Sequence, residues 1–257
     1  MDTLPVICHE TEDFAVVFKP PRMHCAPLKK NDKEKETLLD WYAKTFPPVM
    51  ELSGRKENEG GLIHRLDFET QGLVLFAKNK QTLENLLDQQ KQGRFIKEYS
   101  AICQKRETGA LGASPDYPPC SSVYSVVNSY LLDIPLHIII QSYFRPYGPG
   151  RKQVRPVTEE KLKGKEIAKD GDSFYITEII GVEKKQVENR ENYFFTVRLK
   201  RGFRHQIRCH LAWVGFPVLN DPLYGEGSGD GFLALKATGL FFDDPRSGKP
   251  FQFHIEQ

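Results

Sequence analysis

Apolar segments of strand length outnumber helical stripes along this chain, and the two do not alternate regularly. A doubly wound parallel sheet needs a helix after nearly every strand. This order points instead to an α+β fold, a mixed and mainly antiparallel sheet with flanking helices. Residues 14–18 read as a buried strand stopped by Pro20-Pro21, and residues 72–77 as a second apolar strand. Residues 95–103 alternate, with Phe95, Lys97, Tyr99 and Ala101 on one face. Further strands are expected over 173–180, 193–199, 232–238 and 251–255. Helices are expected over 35–46, 80–92 and 205–214, the last from the stripe of Ile207, Leu211 and Val214 ahead of Gly215. No repeat or Gly/Ser linker divides the 257 residues, so one domain is expected over 1–257. Residues 104–172 carry Pro118-Pro119 and Gly148-Pro149-Gly150 and read as an irregular insertion on it.

Composition removes several classes of function. No apolar run approaches the length of a bilayer span, and the acids Asp2, Glu10, Glu12 and Asp13 near the start do not resemble a secretory leader. The five cysteines form no CxxC pair, which fits free thiols in a cytoplasmic setting. A metal site built on His64, His205 and His210 lacks supporting ligand spacing, so no metal is expected. With 36 Lys+Arg against 34 Asp+Glu the net charge is only +2, but its distribution is uneven. Residues 91–106 hold five basic groups against one acid, residues 151–169 seven against three, and residues 193–220 five against none. With Phe144, Tyr147 and Phe203 interleaved, these segments suit a groove that follows a phosphate backbone and stacks bases. The plainer reading of each, taken singly, is a solvated charged face.

Two clusters carry candidate chemistry. His64-Arg65-Leu66-Asp67 sits at the entrance to the strand at 72–77, where charged side chains are costly to bury unless paired or facing a cleft. Asp67 there suits a nucleophile or an electrostatic stabiliser, or merely an Asx-turn. Arg204, His205 and Arg208 crowd the start of the third helix, with Arg204 and Arg208 on the face away from its apolar stripe. That placement is unfavourable against the helix dipole unless an anion lies nearby. Lys97 and Tyr99 share one strand face, and a tyrosine there can stack on a base and hydrogen-bond through its hydroxyl.

In chain order these segments resemble the motifs of the RluA-type RNA pseudouridine synthases. The run from Gly61 through His64-Arg65-Leu66-Asp67 to Ala77 is similar to the family's HRLDxxTSGLLLLA motif. Lys97-Glu98-Tyr99-Ser100-Ala101 is similar to its KxYxA strand. Residues 202–211, with Gly215-Phe216-Pro217 and Asp221-Pro222-Leu223-Tyr224-Gly225, are similar to its GRxHQIRxHLAxxGxPIxGDxxYG segment. The strand ending in Lys19-Pro20 matches the family's entry. The likeness covers most of the chain and is weakest over 104–172. Gln71 stands for the usual Ser, Gly-Phe-Arg204 for Gly-Arg-x, and Asn220 for the usual Gly.

The resemblance implies a pseudouridine synthase-like fold and the isomerisation of specific uridines in structured rRNA or tRNA. Asp67 would be the catalytic nucleophile at C1′, Arg208 its partner, and Tyr99 the ring that stacks on the flipped uracil. Arg65, Lys97, Arg204, His205 and Gln206 would contact RNA. It implies no cofactor, no required protein partner, a monomer, and no separate S4-type RNA-binding domain ahead of the first strand. Two other readings are open. One is an RNA-binding module that keeps the fold without turnover. The other is a glycosidase using Asp67 and Glu69 as its carboxylate pair.

Overall fold

The computed structural model describes residues 4–27, 35–54, 56–106, 137–157, 174–187, 190–225 and 231–256. In chain order the elements are β1 (Val6–Glu10), β2 (Phe14–Lys19), α1 (Leu38–Thr45), β3 (Gln71–Ala77), α2 (Lys80–Lys91), β4 (Ile96–Cys103) and β5 (Ile138–Tyr147). They continue as β6 (Gln153–Val157), β7 (Tyr175–Val187), β8 (Arg190–Leu199), α3 (Gln206–Trp213), β9 (Leu235–Asp243) and β10 (Pro250–His254). The fold is α+β, and most strand pairs are antiparallel. None of the described helices is long and apolar enough to cross a membrane.

The chain divides into two compact units. The first comprises residues 1–98 and 236–257, and the second residues 99–235. In the first, β1 pairs with β2 and β2 with β3, antiparallel, from Phe14↔Ala77 to Lys19↔Gly72. β3 then runs parallel to β9, with Gly72 opposite Ala237. A Cβ at Gly72, where φ is +122°, would lie 2.3 Å from the Ala237 carbonyl oxygen, so only glycine permits this approach. The core gathers Phe14, Val16, Leu73 and Leu75 from the sheet with Leu83 and Leu86 from α2. Helix α1 starts at Leu38 because Thr37 caps it: Asp40 N–H donates to Thr37 Oγ1, and Thr37 N–H donates back to the Asp40 carboxylate. Asn79 caps α2 by a single bond, its Oδ1 accepting from Thr82 N–H.

In the second unit β8, β7, β5 and β6 pair antiparallel in that order. Residues 137–157 therefore do not form the irregular insertion expected there. Ile138, Ile140, Ser142 and Phe144 alternate inward along β5, and residues 148–151 make the turn into β6. Residues 107–136 and 158–172 of the expected insertion lie outside the described residues, as does Cys120. Helix α3 begins one residue later than expected because His205 adopts the left-handed region (φ 56°) and ends the regular backbone there.

Candidate active site

Asp67 stands in the first unit, half-buried, on the turn that leads into β3. Its carbonyl accepts a hydrogen bond from Thr70 N–H at 3.1 Å. Upstream, Ile63 N–H bonds to Leu75 O and Leu75 N–H donates to His64 Nε2 at 3.3 Å, so the segment before Asp67 is pinned along β3. His64 thus serves the backbone and is 7% exposed. Arg65 is exposed and reaches back to the buried Glu59 carboxylate at 3.1 Å.

Lys19, at the end of β2, is fully buried. Its ammonium donates to the carbonyls of Pro20 (2.8 Å), Met23 (2.9 Å) and Phe68 (3.3 Å). Desolvation brings its pKa down to about 8, against the attraction of Cys25, Asp67 and Glu69. A positive charge beneath the Asp67 turn was not assigned from the sequence. Its signal was there, in a lysine closing an otherwise apolar strand before Pro20-Pro21. On the same unit Lys97 is 3% exposed, with its ammonium 5.9 Å from the Phe95 ring centre, so it does not lie open at the surface.

In the second unit Tyr99 is 6% exposed on β4, and Arg208 is completely buried in α3. Arg208 does not occupy the exposed basic face suggested by the spacing of the helix. Its Nε donates to Asp221 Oδ2 at 2.7 Å and its Nη2 to Asp221 Oδ1 at 2.8 Å, a forked pair with both side chains inaccessible to solvent. Asp221 Oδ1 also accepts the N–H groups of Leu223 and Tyr224, and the Tyr224 ring lies 5.6 Å from the guanidinium carbon. Asp221 is thus an anion that meets Arg208. Its sequence signal is only its place at the head of Asp221-Pro222-Leu223-Tyr224-Gly225.

The other residues expected on RNA fall into two groups. Gln206 is 2% exposed, and its amide is used internally: Oε1 accepts from Phe203 N–H, and Nε2 donates to Ile176 O and Thr177 Oγ1. Arg204 is exposed, with Nη2 donating to the carbonyls of Arg151 (2.9 Å) and Gln153 (3.3 Å), which ties the β5–β6 turn to the start of α3. His205 is half-buried, its Nδ1 3.3 Å from the Tyr224 hydroxyl oxygen. Of the aromatic groups expected to stack on bases, Phe144 is instead core. It stacks on Phe203 at 5.0 Å and on His210 at 4.8 Å. Tyr147 is exposed, beneath the Arg155 guanidinium at 4.9 Å. Asn220 replaces glycine at φ +59°, a region asparagine tolerates well, and its Nδ2 donates to Phe232 O.

Residues 13–213 match the family model described as RNA pseudouridylate synthase. The chain is 26% identical over 267 residues to ribosomal large subunit pseudouridine synthase D of Haemophilus ducreyi, covering 96% of this chain and 66% of that protein. It is 26% identical over 254 residues to the uncharacterized RNA pseudouridine synthase YlyB of Bacillus subtilis, covering 96% and 67%. The chain thus spans about two thirds of the length of these curated relatives. Among solved structures it is similar to human RNA pseudouridylate synthase domain containing 1, with a TM-score of 0.65, 18% identity, and coverage of 99% of this chain and 84% of that one. The second human structure, domain containing 4, gives a TM-score of 0.58 at 15% identity over 97% and 87% of the two chains. Both are likenesses of fold. The matched span contains Asp67, Tyr99 and Arg208 in the order of the motifs, and this chain belongs to the RNA pseudouridylate synthase family.

Proposed function

We propose that this protein isomerises uridine to pseudouridine in structured ribosomal or transfer RNA, with Asp67 as the catalytic carboxylate. The family match through residues 64–67 carries the reading. The name of the Haemophilus ducreyi relative favours ribosomal RNA as the first substrate to try.

The reaction breaks the N1–C1′ bond, turns the uracil over and joins C5 to C1′. N1 gains a proton and C5 loses one, so no atom is gained overall. Cleavage leaves positive charge on the ribose, and a carboxylate at C1′ captures or stabilises it. Uracil must leave its stack first, at a cost of a few kcal/mol in a duplex and less in a loop, which phosphate contacts offset. Tyr99 and Arg208 hold their catalytic roles in this proposal through their motifs, Tyr99 against the everted base and Arg208 as partner of Asp67. Asp221 joins them as the group that orients Arg208. Arg65, Arg204 and His205 are assigned to RNA. Lys97 and Gln206 support that surface from within, as their burial favours. The two units act as one catalytic domain, in the cytoplasm, as a monomer and without a cofactor.

The test is tritium release from bulk RNA labelled at uridine C5. Wild type releases tritium, and Asp67→Asn does not. Undiminished release by that variant overturns the role of Asp67. Salt-sensitive binding of the same RNA without release, and without new carbodiimide-reactive pseudouridine, would mark an RNA-binding module instead.

A further inference from the structure

Three consecutive carbonyls frame Asp67, and each is held by a different donor. The Asp67 carbonyl itself accepts from Thr70 N–H, and that of Phe68 accepts from the Lys19 ammonium at 3.3 Å. The carbonyl of Leu66, which belongs to the peptide joining Leu66 to Asp67, accepts from the Cys25 thiol, with Sγ 3.6 Å away. The same sulfur accepts from Leu66 N–H at 3.2 Å. One side chain thus grips both polar groups of the residue before Asp67, across 41 positions of sequence.

Cys25 is 3% exposed, and burial pushes its thiol up, against the pull of the Lys19 and Arg65 charges. The sulfur therefore keeps its proton and can donate as well as accept. Valine has similar bulk and would fill the site, but it offers neither function. Serine offers both. Residues 19–25 leave β2 and carry both Lys19 and Cys25, so one short segment fixes the backbone on either side of the carboxylate.

We infer that Cys25 is a positioning residue for Asp67: its thiol fixes the peptide entering Asp67 and thereby sets the direction of the carboxylate. This rests on the proposed role of Asp67 at C1′. Displacement of a reacting group by about 1 Å is enough to slow a reaction of this kind on the order of a hundredfold, and loss of one of three tethers is a smaller disturbance.

The experiment measures tritium release from C5-labelled bulk RNA by the full chain and by Cys25→Val, Cys25→Ser and Asp67→Asn, with thermal unfolding of each. For Cys25→Val the maximal rate falls about tenfold while the half-saturating RNA concentration stays within about twofold, a split that marks lost alignment rather than lost binding. Cys25→Ser, which restores donor and acceptor, returns to within about threefold of wild type. A Cys25→Val chain that turns over at the wild-type rate while Asp67→Asn is inactive overturns the inference and leaves Asp67 in place. So does a folded Cys25→Ser chain as slow as Cys25→Val. Should Cys25→Val fail to fold, the serine chain decides alone: near wild-type rate supports the inference, and a folded but tenfold slower chain overturns it. Unchanged release by Asp67→Asn overturns the role of Asp67 first and the inference with it.

Discussion

Arg208 and Asp221 form a forked ion pair from which solvent is wholly excluded, Nε and Nη2 of the guanidinium each meeting one carboxylate oxygen. Thirteen residues separate them, across the end of α3 and the turn that follows. The pair costs much to desolvate, so its presence is weak evidence of net stability. Removing one partner is a different matter, because it strands a charge in a site closed to water. Asp221→Ala is expected to lower the free energy of unfolding by roughly 3–5 kcal/mol. Asp221→Asn is expected to cost less, since its amide oxygen still accepts from Leu223 and Tyr224 N–H. Urea unfolding of the two variants checks this. Equal and small losses would show that the pair is solvated in solution.

Gly72 carries a second prediction, on the register of the first unit. Its positive φ and the proximity of the Ala237 backbone, within 2.3 Å of where a Cβ would stand, leave no room for any side chain. Gly72→Ala is expected to destabilise the chain by about 3 kcal/mol or more, by strain at φ and by parting β3 from β9. Amide exchange of Gln71–Ala77 should rise along with the loss in urea. A variant as stable as wild type would contradict the close parallel pairing.

Much of the architecture was legible because it is local. The spacing of Leu83, Leu86 and Leu87 ahead of Gly93 gives α2, and the apolar run before Ala77 gives β3. The β5–β6 hairpin was not read, because the Gly148-Pro149-Gly150 cluster looks like a breaker. In the structure Pro146 sits near the end of β5 opposite Val154, and the cluster makes the turn itself. The site was legible as motifs but not as contacts. Arg208 lies opposite an apolar stripe, which periodicity reads as exposed, yet every residue from 206 to 212 is buried. Periodicity reports one helix and has no knowledge of a carboxylate arriving from another segment. Lys19 and Cys25 were missed for the same reason, since their partners at 66 and 68 are distant in sequence.

His210 supplies a pH prediction. It is fully buried, with Nε2 2.9 Å from Ser142 Oγ and Nδ1 2.8 Å from Thr177 Oγ1. Thr177 Oγ1 already accepts from Gln206 Nε2, so its proton is available to Nδ1, and the imidazole is neutral with Nε2–H directed at Ser142. Burial pushes its pKa down to about 3. The unfolded chain takes up this proton as pH falls through about 6.5, whereas the folded chain does not until about 3. Stability is therefore fully present above about 6.5 and declines below it, by about 1.4 kcal/mol per pH unit. The advantage of wild type over His210→Gln should shrink by about 2 kcal/mol between pH 7 and pH 5. A constant difference across that range would mean that the ring is protonated inside the fold.

Arg204 stands one place from the arginine of the motif this segment resembles, and the structure gives it a definite task. Its Nη2 holds the carbonyls of Arg151, at the end of the turn over residues 148–151, and Gln153, the first residue of β6, and Arg151 itself sits at a positive φ of 53°. The guanidinium is exposed, so each bond is worth only about 1 kcal/mol, and global stability should fall by no more than about 1–2 kcal/mol in Arg204→Ala. The local effect should be larger than the global one. Exchange of amides between 148 and 155 should accelerate by tenfold or more, on the order of the roughly 1.4 kcal/mol that a decade represents, while those of β7 and β8 stay protected. If Arg204 also meets a phosphate, as proposed, the slope of log binding constant against log salt concentration falls by about 0.7–0.9 in Arg204→Ala. An unchanged slope together with a loosened turn would confine Arg204 to anchoring the hairpin.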